Sequence, residues 1–167
     1  MSDASDKLCF LVVDDQPLIT GALSMLLTSE NPDSEVFTAN SVDDARKLVH
    51  SHAPEADLLI LDLSMPGVVG TSLLEEFVRE EPSLKILVLS GVTDRESVMN
   101  TLSLGAAGFV PKTLDTDLLL TAIHFVLKGG VYLPSKIIEE SQRRGFFAEA
   151  GEGIAGRMAS APTLTPR

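Results

Sequence analysis

Hydrophobic and polar positions alternate between two textures over residues 1–135. Short β-rich runs at Leu8–Val13, Glu35–Ala39, Leu58–Leu61, Lys85–Leu89 and Gly108–Val110 predict strands. Between them, Pro17–Ser29, Val42–His52, Thr71–Glu80, Asp94–Leu104 and Asp115–Lys128 carry apolar residues at helical spacing. In the first window, Leu18, Ala22, Met25 and Leu26 share one face, widened by Ile19 and Leu23, and that face is expected to meet the core. Ser41 precedes Asp44, and Thr93 precedes Glu96, at the spacing of a capping box. Gly105 follows the fourth window and Gly129-Gly130 the fifth, where a left-handed cap is expected.

Five strand–helix repeats imply parallel strands joined by crossover helices. Cys9–Val13, Leu58–Leu61 and Ile86–Leu89 are unbroken apolar runs, so those strands are covered on both faces. The fold class is therefore α/β, an open doubly wound parallel sheet of five strands. Five repeats are too few for the eight-fold barrel. The mixed run Glu35-Val36-Phe37-Thr38 suits a sheet edge. Beyond Gly130 comes the apolar segment Val131-Tyr132-Leu133-Pro134. Ser135–Arg144 then predicts one short helix, with Ile137, Ile138 and Ser141 on a common face. Gly145, Gly151, Gly153 and Gly156 among alanines, followed by Pro162 and Pro166, change the texture to that of a linker. The expected division is a domain over 1–135, then a short helix and flexible linker over 136–167.

A length of 167 residues fits one domain with a core of its own. The formal charge of −11 is uneven: residues 1–135 carry a net −12 and residues 136–167 a net +1. Phosphate backbones and anionic lipid would be repelled by most of the chain. A single cysteine, Cys9, excludes an internal disulfide and reads as a small hydrophobe on a buried strand. No basic-then-apolar leader opens the sequence, and no run approaches the ~18 apolar residues of a membrane span. A cytoplasmic protein with no membrane partner is expected.

In open α/β sheets, ligands sit beyond the carboxyl ends of the strands. Asp14 and Asp15 follow the first strand, Asp62 ends the third, Ser90 ends the fourth, and Lys112 lies just past the fifth. Carboxylates gathered at one edge repel each other, so the site calls for a cation, a raised carboxylate pKa, or both. An oxygen-only donor set favours a hard ion such as Mg²⁺. With Lys112 adding positive charge, a phosphoryl group could join, and an attacking carboxylate would form an acyl phosphate. Asp62 stands alone at the end of the central buried strand and is the best nucleophile. The simpler alternative for Asp14 or Asp15 is a cap on the Pro17 helix.

Four segments carry a family resemblance: Val12-Val13-Asp14-Asp15-Gln16-Pro17, Leu61-Asp62-Leu63-Ser64-Met65-Pro66-Gly67, Leu89-Ser90-Gly91, and Gly105-Ala106-Ala107-Gly108-Phe109-Val110-Pro111-Lys112. Together they resemble the response-regulator receiver domain of two-component signalling. The resemblance implies the flavodoxin-like strand order 2-1-3-4-5. It also implies that Asp62 accepts a phosphoryl group from a phosphohistidine on a sensor histidine kinase. Asp14, Asp15, Asp62 and the Ser64 carbonyl would hold Mg²⁺, and Lys112 would pair with the phosphoryl oxygens. Ser90 and Phe109 would form the switch, Phe109 moving inward behind the Ser90 hydroxyl. Departures are modest. Thr113 follows Lys112 where many receivers have a cis proline, and Val69-Gly70 stands where Asp-Gly is frequent. The Gly-Gly-Val-Tyr-Leu-Pro exit and Leu164-Thr165-Pro166-Arg167 resemble the subclass with a LuxR-type helix-turn-helix. They imply transcriptional output through a DNA-binding domain absent from this chain, with phosphorylation-dependent homodimerisation.

Other classes fit less well. An aspartyl phosphatase of the haloacid-dehalogenase type needs an acid two residues after its nucleophile, where Ser64 stands. A flavodoxin-like nucleotide carrier needs a Gly/Ser/Thr-rich loop after the first strand, where Asp14-Asp15 would repel phosphate. A receiver acting only through protein contacts would not need all five site residues. His50 and His52 lie two apart on a helix and suit no metal pair, and His124 reads as a flank residue. Leu118 and Phe125, at the margin of the very apolar last window, offer either a partner surface or deep burial.

Overall fold

The structure, a computed structural model, describes residues 7–113 and 115–143. Its sheet contains β1 (Cys9–Val13), β2 (Glu35–Ala39), β3 (Leu58–Asp62), β4 (Ile86–Ser90) and β5 (Gly108–Pro111). All pairings are parallel and the order is β2-β1-β3-β4-β5, as the resemblance implied. The helices are α1 (Pro17–Glu30), α2 (Val42–His52), α3 (Ser72–Glu80), α4 (Arg95–Ser103), α5 (Thr116–Leu127) and α6 (Ser135–Arg143).

The alternation of strand side chains builds two cores. Phe10, Val12, Leu58, Ile60, Leu87 and Val110 face α1 and α5. Leu11, Val13, Leu59, Leu61, Val88 and Phe109 face the side holding α2, α3, α4 and α6. Every residue of β1, β3 and β4 is buried, which is why those strands read as unbroken apolar runs. At the edge, β2 has a mixed pattern, with only Ala39 buried. Ser41 caps α2 as expected, accepting from the Asp44 N–H at 3.1 Å. Gly105 and Gly129 have φ of +111° and +93° where the helix caps were predicted.

Two local expectations are corrected. The face of α1 that meets the sheet is Thr20, Leu23 and Leu27, whereas Leu18 and Met25 are 82% and 75% exposed and Ala22 is exposed as well. Almost all of α1 is apolar, so spacing alone selects no face, and Thr20 is buried because its hydroxyl donates to the Pro17 carbonyl. The cap of α4 is Asp94 rather than Thr93: it accepts from the Ser97 N–H at 2.9 Å and the Ser97 hydroxyl at 2.6 Å.

After α5 the chain runs along the outer edge of β5. Tyr132 N–H donates to the Ala107 carbonyl, and Phe109 N–H donates to the Tyr132 carbonyl. Leu133 and Ile137 then enter the α2–α4 core, so α6 packs against the domain. Leu118 is 45% exposed, whereas Phe125 is half-buried and packs against the α1–α5 core. Cys9 is a buried free thiol, and His52 stacks on Phe37 with ring centroids 4.0 Å apart. Arg144, the 145–163 linker and Leu164–Arg167 lie outside the described residues, as does the Ser141 side chain. No helix among the described residues is long and apolar enough to cross a membrane.

Candidate functional site

The parallel topology brings the carboxyl ends of β1, β3, β4 and β5 to one edge. There the carboxylate oxygens of Asp14, Asp15 and Asp62 lie within 4.8 Å of one another. Asp14 and Asp62 are almost wholly buried, and Asp15 is half-exposed. Each buried carboxylate has one oxygen fixed by its own chain: Gln16 N–H donates to Asp14 Oδ1 at 2.9 Å, and Ser64 N–H to Asp62 Oδ1 at 2.9 Å. These short loops turn each aspartate inward. Asp14 therefore does not cap α1; Gln16 is the capping residue, and it makes no side-chain cap bond.

The other oxygens face the site. Asp14 Oδ2 and Asp62 Oδ2 are buried, and no backbone N–H reaches either of them. Lys112 Nζ stands 3.0 Å from the first and 3.1 Å from the second, an ion-pair distance to both. Burial pushes the Asp14 carboxyl above its ordinary range, and the adjacent Asp62 adds to this, against the pull of the Gln16 N–H and Lys112. Burial alone would lower the Lys112 pKa, but its contacts with Asp14 and Asp62 outweigh burial and raise it. One ammonium among three carboxylates leaves excess negative charge, with two desolvated oxygens sharing that single cation. That oxygen-only, under-neutralised set fits a hard divalent cation.

Ser90 closes the far side. Its Oγ accepts from the Val92 N–H at 3.1 Å, and its carbonyl accepts from the Lys112 N–H at 2.9 Å, tying the end of β5 to β4. Phe109 is already inside, 1% exposed, in the α2–α4 core with Val98, Leu102 and Ala106. Ser64 is exposed at the mouth, two residues past Asp62. The peptide bonds flanking Lys112 are trans, as are all others among the described residues.

A model of the response regulator receiver domain matches residues 10–124. The chain belongs to the response-regulator receiver family. Among curated relatives, this receiver is 34% identical over 135 residues to the glycerol metabolism activator of Pseudomonas putida, covering 81% of this chain and 61% of that one. Among solved structures, it is similar to a LuxR family DNA-binding response regulator from Silicibacter pomeroyi, at 28% identity and TM-score 0.66, covering 78% and 98% of the two chains. It is also similar to a Burkholderia pseudomallei response regulator with a phosphorylated aspartic acid and a calcium ion, at 27% identity and TM-score 0.61, covering 70% and 66%. The chain spans about three-fifths of the curated P. putida relative's length.

One residue behind the site, Asn40, is not among those selected from the sequence. Asn40, immediately after β2, donates from Nδ2 to the Asp14 carbonyl at 2.8 Å and to Thr20 Oγ1 at 3.0 Å. The strand-end rule that selects Asp14, Asp62 and Ser90 selects Asn40 as well when applied to β2.

Proposed function

We propose that this receiver is the phosphoacceptor switch of a two-component system, with Asp62 as the acceptor and Mg²⁺ as the cofactor. The observation that carries the proposal is the pair of buried Oδ2 atoms of Asp14 and Asp62, which share the single ammonium of Lys112 and lie beside the third carboxylate, Asp15. Asp14, Asp15, Asp62 and the Ser64 carbonyl would hold the ion. When bound, Mg²⁺ supplies the positive charge that lets a phosphoryl dianion approach three carboxylates.

The chain's own groups do the rest. An Asp62 oxygen attacks phosphorus as the phosphorus–nitrogen bond of a sensor-kinase phosphohistidine breaks, and the imidazole leaves with its electron pair and takes up a proton. Lys112 releases its contact with Asp62 and pairs with the incoming phosphoryl oxygens. Ser90 keeps a hydroxyl hydrogen to donate to one of them while its Oγ stays fixed by Val92 N–H. The charge change at this point biases the β4–α4 region and the core around Phe109 between two arrangements. Because Phe109 is already inward here, the shift acts by holding that arrangement rather than by creating it. The only chemistry is the protein's own phosphorylation and dephosphorylation.

The names of the relatives support a wider proposal. The full protein regulates transcription in the cytoplasm through a further DNA-binding domain, and phosphorylation favours a homodimer. To test the core of this, the protein is incubated with acetyl phosphate and Mg²⁺ and its intact mass is measured. One added phosphoryl mass is expected, absent with EDTA and absent in Asp62→Ala. No gain, or a gain retained by Asp62→Ala, contradicts it. Sedimentation with and without beryllofluoride tests the dimer; an unchanged monomer argues against it.

A further inference from the structure

Two of the three carboxylates at the site, Asp14 and Asp15, are carried by the short turn between β1 and α1. The Asp14 side chain is held by Gln16 N–H and Lys112. Asp15 is half-exposed, and its direction is set by the backbone of the turn. The peptide joining Asp14 to Asp15 is where that direction is decided, because its rotation swings Asp15 Cα and Cβ together. The carbonyl of this peptide accepts the Asn40 side-chain amide at 2.8 Å. The second hydrogen of the same amide reaches Thr20 Oγ1 at 3.0 Å, and Thr20 is buried in the first turn of α1. Thr20 Oγ1 in turn donates to the Pro17 carbonyl at 3.2 Å. Ala39, next to Asn40, accepts the Asp14 N–H at 3.2 Å, so the turn is bracketed on both sides of Asp14 from β2.

We infer that Asn40 is a positioning residue for the divalent-cation site: its amide locks the Asp14–Asp15 peptide against β2 and α1 and thereby holds Asp15 toward Asp14 and Asp62. The inference rests on the reading of the three carboxylates as a Mg²⁺ site. The Asn40 amide donates to the Asp14 carbonyl and Thr20 rather than to a carboxylate of the site, so it acts through the peptide. An amide is suited to the task because it offers two hydrogens to two acceptors, the Asp14 carbonyl and the Thr20 hydroxyl oxygen. A carboxylate at position 40 would place oxygen against the Asp14 carbonyl, and alanine would leave that carbonyl to water. Groups that orient ligands from behind typically change metal affinity by about 10–100-fold when removed.

The test uses the 167-residue chain and Mg²⁺ alone, by isothermal titration calorimetry, on wild type, Asn40→Ala and Thr20→Val. Thermal midpoints are measured in EDTA beside each titration. A positioning role predicts a Mg²⁺ Kd raised about tenfold in Asn40→Ala. A smaller rise in the same direction is expected in Thr20→Val, which keeps the shape and removes the second anchor. Acetyl-phosphate labelling should lose rate at low Mg²⁺ and recover it at saturating Mg²⁺. Asn40→Ser, with one hydroxyl hydrogen to give, should recover part of the affinity. A Kd within twofold of wild type in Asn40→Ala, even with a lowered melting point, overturns the inference and leaves Asn40 a structural tie. If Asn40→Ala does not fold, Thr20→Val decides on the same criterion. Failure of wild type to bind Mg²⁺ would overturn the cation site itself, a separate and distinguishable outcome.

Discussion

Replacing Asp14 by Asn should stabilise the metal-free protein. The substitution keeps the shape and the Oδ1 acceptor for Gln16 N–H, and removes one buried charge. At an effective dielectric of about 20, Lys112 at 3.0 Å attracts the Asp14 carboxylate by roughly 5.5 kcal/mol. Asp15 and Asp62, each within 4.8 Å, repel it by roughly 3.5 kcal/mol apiece or more. The balance is about 1–2 kcal/mol of net repulsion, and desolvation adds to it in the same direction, in keeping with the raised Asp14 pKa. At about 2–4 °C per kcal/mol for a domain of this size, Asp14→Asn should melt about 4 °C above wild type in EDTA. The assay is circular dichroism melting at low salt and neutral pH. Mg²⁺ at a hundredfold over its Kd should then add about 2.7 kcal/mol to wild type and much less to the variant, reversing the order. A variant that melts below wild type in EDTA would refute the charge balance. It would mean that the Lys112 pair outweighs carboxylate crowding and that the site needs no further cation.

Further outcomes follow from the packing and the site. Phe77 is fully buried in the α2–α4 core, so Phe77→Ala should cost about 3–5 kcal/mol by urea unfolding, with an unchanged midpoint contradicting its burial. Leu23→Ala in α1 should cost about 2–5 kcal/mol, whereas Leu18→Ser and Met25→Ser should stay within about 0.5 kcal/mol; the opposite ranking would restore the face expected from spacing. Ser41→Ala should lose about 1 kcal/mol through the α2 cap. Lys112→Ala should abolish acetyl-phosphate labelling, and Ser90→Ala should slow it while leaving Mg²⁺ affinity unchanged, which separates a phosphoryl contact from a metal ligand.

The sheet was legible because its strands are buried on both faces. A run such as Leu58–Leu61 has no polar residue to interrupt it, and only a central parallel strand uses such a run. Site residues were legible for the same topological reason: polar groups placed directly after apolar strands must converge at one edge. The orientation of α1 was not, because Leu18, Ile19, Ala22, Leu23, Met25, Leu26 and Leu27 cover nearly its whole circumference. The choice among those faces is made by Thr20, whose hydroxyl is satisfied by Pro17 and Asn40 once β2 lies beside β1. Asn40 was hidden for a related reason. Its place after β2 marks it for the same edge, but its partner is a backbone carbonyl 26 residues away, and only the pairing of β2 with β1 brings the two together. The α4 start was displaced by one residue because Thr93 and Asp94 are both good caps, and Asp94 can take both the N–H and the hydroxyl of Ser97.

The central claim is that Asp62 itself receives the phosphoryl group, and trapping of the acyl phosphate tests it most directly. The protein is labelled with acetyl phosphate and Mg²⁺ and treated with borohydride, which reduces an aspartyl phosphate to homoserine. It is then digested and sequenced by mass spectrometry. Homoserine at position 62, and not at 14 or 15, is the expected result. Homoserine elsewhere, or none in a protein that has gained phosphoryl mass, would contradict the account.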